Sequence, residues 1–251
     1  GTPVVDISKH YADSDNTLTL KFKQSHPVTS DQKQKYDLHI PVAWELIDDT
    51  SKQPRRGVFS LKEKTDTLVL NDVKEHQKIA LFTDFSAPVK TKLTISFEES
   101  VAIMLNAQDG FCRWDAAQRI YSDLIWSISD ARPNAADKAK ECVNAIVSGL
   151  MAADFKDPGL LAELLTLPGI NSLSEQRDSI EISSLCLAHE KLKRLIADNL
   201  KDVLEERYDA LLLDEYHYAT EDVAKRTIKN VFWEYWTLTT ANAERAVKQF
   251  D

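Results

Sequence analysis

The segment His189-Glu190-Lys191-Leu192-Lys193 begins like the zinc-binding HExxH helix of metallopeptidases. In that motif two histidines stand four positions apart, so that both imidazoles reach one metal ion from the same helix face. Here the second position holds Lys193, whose positive charge repels zinc. The segment therefore predicts a solvated helix face and no zinc site.

The other five histidines are scattered, and no two stand at ligand spacing. His217 lies beside Asp214 and Glu215, which could help it bind a metal, although a loop at a helix end is the favoured interpretation. Cys112 precedes Arg113, a cation that could lower the thiol pKa. A buried thiol at a helix start is the favoured interpretation there. We predict no catalytic, cofactor-binding or metal-binding residue in this chain.

Two further kinds of active site leave weaker traces in a sequence. A Ser/His/Asp or Cys/His triad assembles in space, so spacing does not exclude one; the chain does lack a Gly-x-Ser-x-Gly elbow. Carboxylate pairs are frequent, but each is predicted to be surface charge or first-turn helix capping. These pairs are Glu205/Glu206, Asp214/Glu215 and Glu221/Asp222.

Composition narrows the class of protein. The 251 residues include only six glycines, which argues against a glycine-rich phosphate loop, and an odd number of cysteines, three. Widely spaced cysteines suit a reducing compartment, and we expect a cytoplasmic protein. No apolar run approaches the roughly 18 residues of a membrane span. The chain opens with Gly1 and carries no signal-like segment, so we expect a piece excised from a longer protein.

Charge is distributed unevenly along the chain. Residues 1–97 carry a net charge of +1, whereas residues 98–251 carry −10. An acidic second half repels nucleic-acid phosphates and offers no basic face to an anionic membrane. We therefore expect neither nucleic acid nor membrane as a partner.

Residues 1–97 follow the period-2 pattern of half-buried strands. The clearest alternation spans residues 36–47 and places Trp44 in the core, while Pro41 predicts an edge or a bulge because proline cannot donate to the ladder. Shorter alternations recur at residues 18–22, 68–70, 79–81 and 89–97, with turn-forming stretches between them. About seven short strands predict an antiparallel β-sandwich of the immunoglobulin-like type.

From residue 98 onward the hydrophobic period becomes helical. Successive helices with short loops predict an α-helical array, similar to a solenoid. No fixed repeat length is visible, so we do not predict a named repeat family. The expected domains are 1–97 and 98–251, without a flexible linker. The predicted helices span residues 114–128, 137–153, 158–165, 183–213 (broken once) and 221–238.

Four stretches in this order together resemble the C-terminal part of bacterial aminopeptidase N, a zinc-dependent gluzincin aminopeptidase. The resemblance covers the whole chain and is tightest at these four places; Cys112 stands where the pattern leads us to expect serine. The stretches are DFSAPVK at 84–90, FCRWDAAQ at 111–118, LLTLPGIN at 164–171 and EDVAKRT at 221–227.

The resemblance implies an architecture of four parts. An N-terminal β domain and a thermolysin-like catalytic domain precede a small β-sandwich and a C-terminal helical domain that closes a chamber for short peptides. This chain matches the sandwich and the first part of the helical domain, which would then be truncated. The zinc helix and the Gly-x-Met-Glu-Asn segment of the family are absent from it. Zinc would belong to the parent enzyme, and this portion would not itself be an enzyme.

The resemblance also names the expected partners. These are the catalytic domain of the same polypeptide, the missing C-terminal helices and, in the parent, short peptides. The family's further helices lead us to expect the Phe232–Trp236 face of the last helix to be partly open in this chain. Two alternatives remain: a stand-alone scaffold that binds a protein partner, and a hydrolase with a triad assembled in space.

Overall fold

The computed structural model describes residues 2–28, 30, 36–47, 54–152, 157–207 and 219–239. The chain divides into two compact units, Gly1–Ala116 and Ala117–Asp251. The first unit contains every described strand, and the second contains helices only. The predicted order, all-β followed by all-α, is confirmed, while the predicted boundary at residues 97 and 98 stays a prediction.

Among the described residues of the first unit, seven strands form two sheets. The four-stranded sheet has the order β5-β2-β1-β7, and the three-stranded sheet has the order β4-β3-β6. The strands are β1 Val4–Ala12, β2 Thr17–Ser25, β3 Ile40–Ile47, β4 Arg55–Leu61, β5 Thr65–Leu70, β6 Lys78–Leu81 and β7 Lys90–Lys92.

Alternate residues of both sheets form one shared apolar core. The Phe22 ring on β2 stacks on the Phe59 ring on β4, with centroids 5.2 Å apart. Trp44 is buried in this core, as predicted. Its ring lies so close to Gly57 that a Cβ atom there would be 2.6 Å from Trp44 Cζ2. The remaining members are Val5, Ile7, Leu18, Leu20, Ile40, Val42, Leu46, Leu61, Leu70, Val73, Ile79, Phe82 and Ala87.

Pro41 does not mark an edge strand, because β3 lies between β4 and β6. Pro41 pairs with Ser60 of β4, whereas the ladder with β6 begins only at Trp44. The neighbouring Ala43 N–H, two positions on, donates to Ser86 Oγ and not to a strand. Pro41 therefore lies in a part of β3 that pairs with β4 only, and its missing N–H costs no hydrogen bond to β6.

Two strand predictions need correction. Strand β3 begins at Ile40, and Tyr36 and Leu38 before it are exposed. The alternation over 89–97 is a strand only at Lys90–Lys92, and β7 runs parallel to β1 rather than antiparallel. The pairing is set by a distant contact, since Lys90 N donates to Pro3 O at 2.8 Å. The sandwich is therefore mixed at one edge.

Seven α-helices are seen in the described part of the chain after residue 96. Helix α1 has Ser96 as N-cap, whose Oγ accepts from Glu99 N, and α4 has Asp157 as N-cap and Pro158 in its first turn. The helices are α1 Phe97–Asn106, α2 Gly110–Ser129, α3 Ala135–Ala152, α4 Pro158–Leu165, α5 Ile170–Ser174, α6 Ile182–Arg207 and α7 Thr220–Thr239. No helix in the described ranges is long and apolar enough to cross a membrane.

The last helix is buried on two sides, which overturns the expectation of an open face. Helix α7 packs against both α4 and α6. Phe232 and Trp236 are only 2% and 4% exposed. The Trp233 ring, half-buried, meets Trp236 edge to face at 5.3 Å. Helices within the second unit thus cover the rings that we expected to be partly open.

Candidate functional site

The segment that begins like a zinc helix lies on α6 and its side chains make structural contacts. His189 is half-buried and its Nε2 lies 3.2 Å from the carbonyl oxygen of Pro168. Burial lowers the pKa of His189 below its usual value. Lys193 Nζ forms an ion pair with Glu234 of α7. A cation fills the second ligand position and the imidazole faces a carbonyl, so these residues do not fit zinc.

The other candidate ligands bring no cluster together. Among the described side chains, no three of histidine, cysteine, aspartate and glutamate lie close enough to share a metal ion. His217, Asp214 and Glu215 fall outside the described residues. Glu221 and Asp222 occupy the first turn of α7, as predicted for helix capping.

Cys112 is the buried thiol that the sequence predicts. Its N–H donates to Asp109 Oδ2 at 2.8 Å, and its Sγ donates to the Leu81 carbonyl at 3.5 Å. Burial raises the pKa of the thiol, and Asp109 and other nearby carboxylates raise it further. The neighbouring Arg113 instead donates from Nε to the Met104 carbonyl at 2.8 Å. Burial and the raised pKa therefore keep Cys112 as a protonated thiol packed in the interior.

Glu45 is a buried charge that the sequence analysis missed. It follows Trp44 on β3, points to the opposite face of the sheet and is 0% exposed. Its Oε2 accepts from Arg56 Nη2 at 2.8 Å, and its Oε1 accepts from Gln108 N at 3.0 Å. A carboxylate inside an otherwise apolar run was the available signal. Glu45 ties β3 to β4 and to the connection between α1 and α2.

Helix α1 is joined to the sandwich by a second ion pair. Glu99 in its first turn is buried and pairs with Lys9 of β1. A carboxylate in the first turn also complements the helix dipole. Together with Glu45, this pair holds the first helix to both sheets, so the first unit comprises more than the strands alone.

Three aromatic side chains form an exposed cluster on the first unit, which we call the aromatic surface: Phe85, Phe111 and Trp114. Their exposed fractions are 57%, 37% and 37%. The Phe85 and Phe111 rings meet edge to face at 5.1 Å, and Phe111 and Trp114 lie 5.9 Å apart. The cluster joins two of the stretches that carry the resemblance, 84–90 and 111–118.

The backbone that presents Phe85 is strained. Phe82, Asp84 and Phe85 have φ of 61°, 56° and 49°, in the left-handed region that favours glycine. Each such residue costs about 1–2 kcal/mol. The turn is held because Ser86 N donates to the Thr83 carbonyl at 3.1 Å and Ser86 Oγ accepts from Ala43 N. Strain of this kind persists only where the surrounding structure imposes it, and it collects at functional sites.

Comparison with known proteins reveals similarity along the whole chain. Residues 1–94 match the family model described as a domain of unknown function, DUF3458, with an Ig-like fold, and residues 97–251 match DUF3458_C, described as ARM repeats. The second match corrects the expectation that no named repeat family applies. The helices of this chain range from 5 to 26 residues in length, so no fixed period is visible in the sequence.

Curated relatives share the same region. Aminopeptidase N of Escherichia coli is 33% identical over 240 residues, covering 92% of this chain and 28% of that protein. Aminopeptidase N of Haemophilus influenzae is 28% identical over 261 residues, covering 100% of this chain and 30% of that protein. The chain thus spans about three-tenths of the length of these relatives.

A solved structure supports the fold. The structure of Legionella pneumophila aminopeptidase A in complex with aspartic acid superimposes with a TM-score of 0.77. It is 19% identical, and the match covers 99% of this chain and 29% of that one. With both of its halves matched in order, the chain belongs to the DUF3458 family, as the Ig-like and ARM-repeat segment found in aminopeptidase N proteins.

Proposed function

We propose that this chain is the non-catalytic C-terminal portion of a zinc-dependent aminopeptidase N, which removes N-terminal residues from peptides. In that enzyme the sandwich supports the catalytic domain, and the helices help to wall the substrate chamber. The observation that carries the proposal is the similarity to aminopeptidase N over 92–100% of this chain and only 28–30% of the relatives.

The residues of the chain suit a supporting role. His189 faces the Pro168 carbonyl, and Lys193 pairs with Glu234, so the one segment that begins like a zinc helix cannot activate a metal-bound water. Zinc therefore belongs to the part of the parent outside this chain.

The first unit is built to be rigid. The buried Glu45 carboxylate and the Lys9–Glu99 pair connect strands to the first helix through charge-assisted hydrogen bonds. A rigid unit can hold a catalytic domain in one orientation, and helices that exclude water and restrict access favour short peptides. The reduced thiols of Cys112, Cys142 and Cys186 suit a reducing cytoplasm.

The test uses the 251-residue chain itself. After dialysis we expect less than stoichiometric zinc by metal analysis and no hydrolysis of aminoacyl anilides, whereas the longer gene product binds zinc and loses activity with a chelator. Stoichiometric zinc and chelator-sensitive turnover in the chain alone would contradict the proposal. The reading frame separates the alternative of a stand-alone scaffold, because an HExxH segment upstream of this chain favours the aminopeptidase.

A further inference from the structure

We propose that residues 240–251, which follow the last described helix, dock as a short helix in a groove on the outer face of α6. The groove has a volume of about 470 Å³. Its described lining consists of Leu187, Glu190, Lys191, Arg194, Leu195 and Asp198. The inference adds a helix to the array and does not depend on the proposed function.

The groove lies opposite the face of α6 that packs into the helical unit. Leu185, Leu192 and Ile196 are buried on the packed face. Leu187 belongs to the same helix and is 69% exposed, whereas Leu195, about two turns further along the groove, is half-buried. Two leucines at this spacing share one side of a helix, so they offer an apolar strip to an occupant.

The hairpin of α6 and α7 leads the chain to one end of this groove. Lys193 of α6 pairs with Glu234 of α7. Lys193 lies 14 residues before the end of α6, and Glu234 lies 14 residues after the start of α7. Because equal lengths of helix lead from the pair to the connection, the two helices run antiparallel. Helix α7 ends five residues beyond Glu234, at the level of the Leu187 end of the groove.

The sequence of residues 240–251 has the pattern of a short amphipathic helix. Asn242 is a preferred N-cap residue, and Glu244 follows in the first turn. The apolar residues have the i, i+3, i+4, i+7 spacing of one helix face. They are Ala243, Ala246, Val247 and Phe250. A helix over residues 243–250 is about 12 Å long, and about the same length separates Leu187 from Leu195 along α6.

Charges on the segment and on the groove are complementary. At about 100° per residue, Glu244 and Asp251 fall on one side of the apolar stripe, and the two cations of the segment fall on the far face. Lys191 and Arg194 line the groove. Arg194 Nη2 donates to Glu190 Oε1 at 2.7 Å, and a guanidinium has further donors for a second carboxylate. The docked segment therefore brings its carboxylates to the cations of the groove.

The size of the contact selects a tethered occupant. Two leucines bury far less than the roughly 1,200 Å² of a stable interface between separate proteins. A segment that continues from α7 needs no such area, because a short linker supplies a millimolar effective concentration. A helix of this length is marginal in water without packing, so its formation depends on the groove.

Hydrogen–deuterium exchange of the 251-residue chain tests the docking. We expect the amides of residues 246–250 to exchange at least about tenfold more slowly than those of an unstructured chain of the same sequence, because the docked helix must open first. Without packing, a helix this short protects its amides very little. Exchange at the unstructured rate would overturn the inference.

Two matched substitutions on α6 locate the contact. Leu187→Ser removes the exposed leucine of the groove, and Ile182→Ser removes an exposed isoleucine of the same helix outside the groove lining. Both side chains lie at the surface, so neither change opens a cavity in the core. Leu187→Ser should return residues 246–250 to the unstructured rate, whereas Ile182→Ser should leave them slow. No effect of Leu187→Ser, or equal effects of both, would contradict docking in this groove.

Dilution separates docking within one chain from docking between copies. A segment that docks in its own chain is protected equally at every protein concentration. Protection that is lost on dilution would place the segment in the groove of a second copy and overturn the inference. The measurement involves neither zinc nor peptide hydrolysis, so its failure leaves the proposed function untouched.

Discussion

The two units of this protein bury polar groups in opposite ways. Among the described residues, five of the six buried polar or charged side chains lie in the first unit, and only Ser122 lies in the second. The second unit instead places tyrosine hydroxyls in an otherwise apolar interior. The difference follows from how each architecture satisfies its backbone.

In the sandwich, a buried amide serves backbone groups that no ladder reaches. Gln24 Nε2 donates to the carbonyls of Leu38 and Glu63, both at 3.0 Å, and its Oε1 accepts from Leu38 N at 2.9 Å. These groups lie outside the strands, where the chain turns between them. A side chain with both donors and an acceptor is therefore needed inside.

In the helical unit, the backbone groups that need a partner outside their own helix lie at helix ends. The last carbonyls of α4 have no intrahelical partner. Tyr121 of α2 donates its hydroxyl to the Leu164 carbonyl at 2.8 Å, and Tyr235 of α7 donates to that of Leu165. Gln118 Nε2 donates to the Thr166 carbonyl at 2.9 Å. Three side chains from two neighbouring helices thus close one helix end, and the remaining interior can stay apolar.

The largest expected effect concerns the sandwich core. Trp44→Ala should lower the free energy of unfolding of the first unit by about 3–5 kcal/mol, because it leaves a large cavity between two sheets. Urea unfolding followed by exchange in β3 and in α7 measures the two units separately. Val58→Ala, at an exposed position on β4, is the control and should change little. Equal losses in α7 would mean that the units unfold together.

The second prediction compares the removal of one buried polar group in each unit. Gln24→Met should lower the free energy of unfolding of the sandwich by about 2–3 kcal/mol, because it leaves several backbone groups without a hydrogen-bond partner. Tyr121→Phe should lower that of the helical unit by about 1–1.5 kcal/mol, because it leaves one carbonyl without its partner. Chemical denaturation of both variants measures the ratio. A larger loss for Tyr121→Phe would contradict the comparison.

The third prediction concerns the tight contact of strand and ring. Gly57→Ala should cost about 1–3 kcal/mol, because the new methyl group would clash with the Trp44 ring. In a Trp44→Ala background the same change should cost almost nothing. Unfolding of the four members of this double-mutant cycle measures the coupling, and strict additivity would show that another neighbour resists the methyl group.

The smallest effect is a pH dependence of the helical unit. Burial is the main reason that the pKa of His189 is lowered, so the fold favours the neutral ring; Lys193 acts in the same direction, while Pro168 and Glu234 oppose it. The stability gained by burying the neutral ring is fully present above about pH 6.5, the ordinary pKa of histidine, and is lost as the pH falls below that value. From pH 7.5 to pH 5.5 the melting temperature of the unmutated chain should fall by up to about 2 °C more than the melting temperature of His189→Gln.

The exposed His10 on β1 provides the matched control. If His189→Gln and His10→Gln change the pH dependence of melting alike, the burial of His189 does not govern that dependence.

Local pattern predicted most elements of this protein and missed a few. Helix α4 begins and ends at the predicted residues, because a proline and an N-cap aspartate mark its start. Strands β1 and β4, and helices α1 and α5, were not predicted. Helix α1 could have been, since Ser96 followed three residues later by Glu99 is a sequence signature of a helix start, and Ser96 is indeed its N-cap. Strand β4 mixes Arg55, Arg56 and Gly57 with apolar residues, and its pairing with β3 outweighs that weak propensity.

In the candidate site, too, the sequence predicted some features and missed others. The sequence predicted that Cys112 is a buried thiol, and it placed Lys193 at the position where a zinc helix has its second histidine, because both conclusions depend on adjacent residues. It did not reveal the burial of Glu45 or the contact between Phe85 and Phe111, which lie 26 positions apart in sequence. The stretches that carry the family resemblance contained these rings, but nothing in their spacing showed that they touch.

By itself the sequence determined the order of β and α halves, the family and most helix positions, since periodicity and capping act over a few residues. The tertiary structure alone decided that β7 pairs in parallel with β1, that α7 is covered on two sides and that Glu45 is buried with partners on two elements. Each of these depends on which distant segments meet. A hydrophobic period records that a face is buried, but it does not record what buries it.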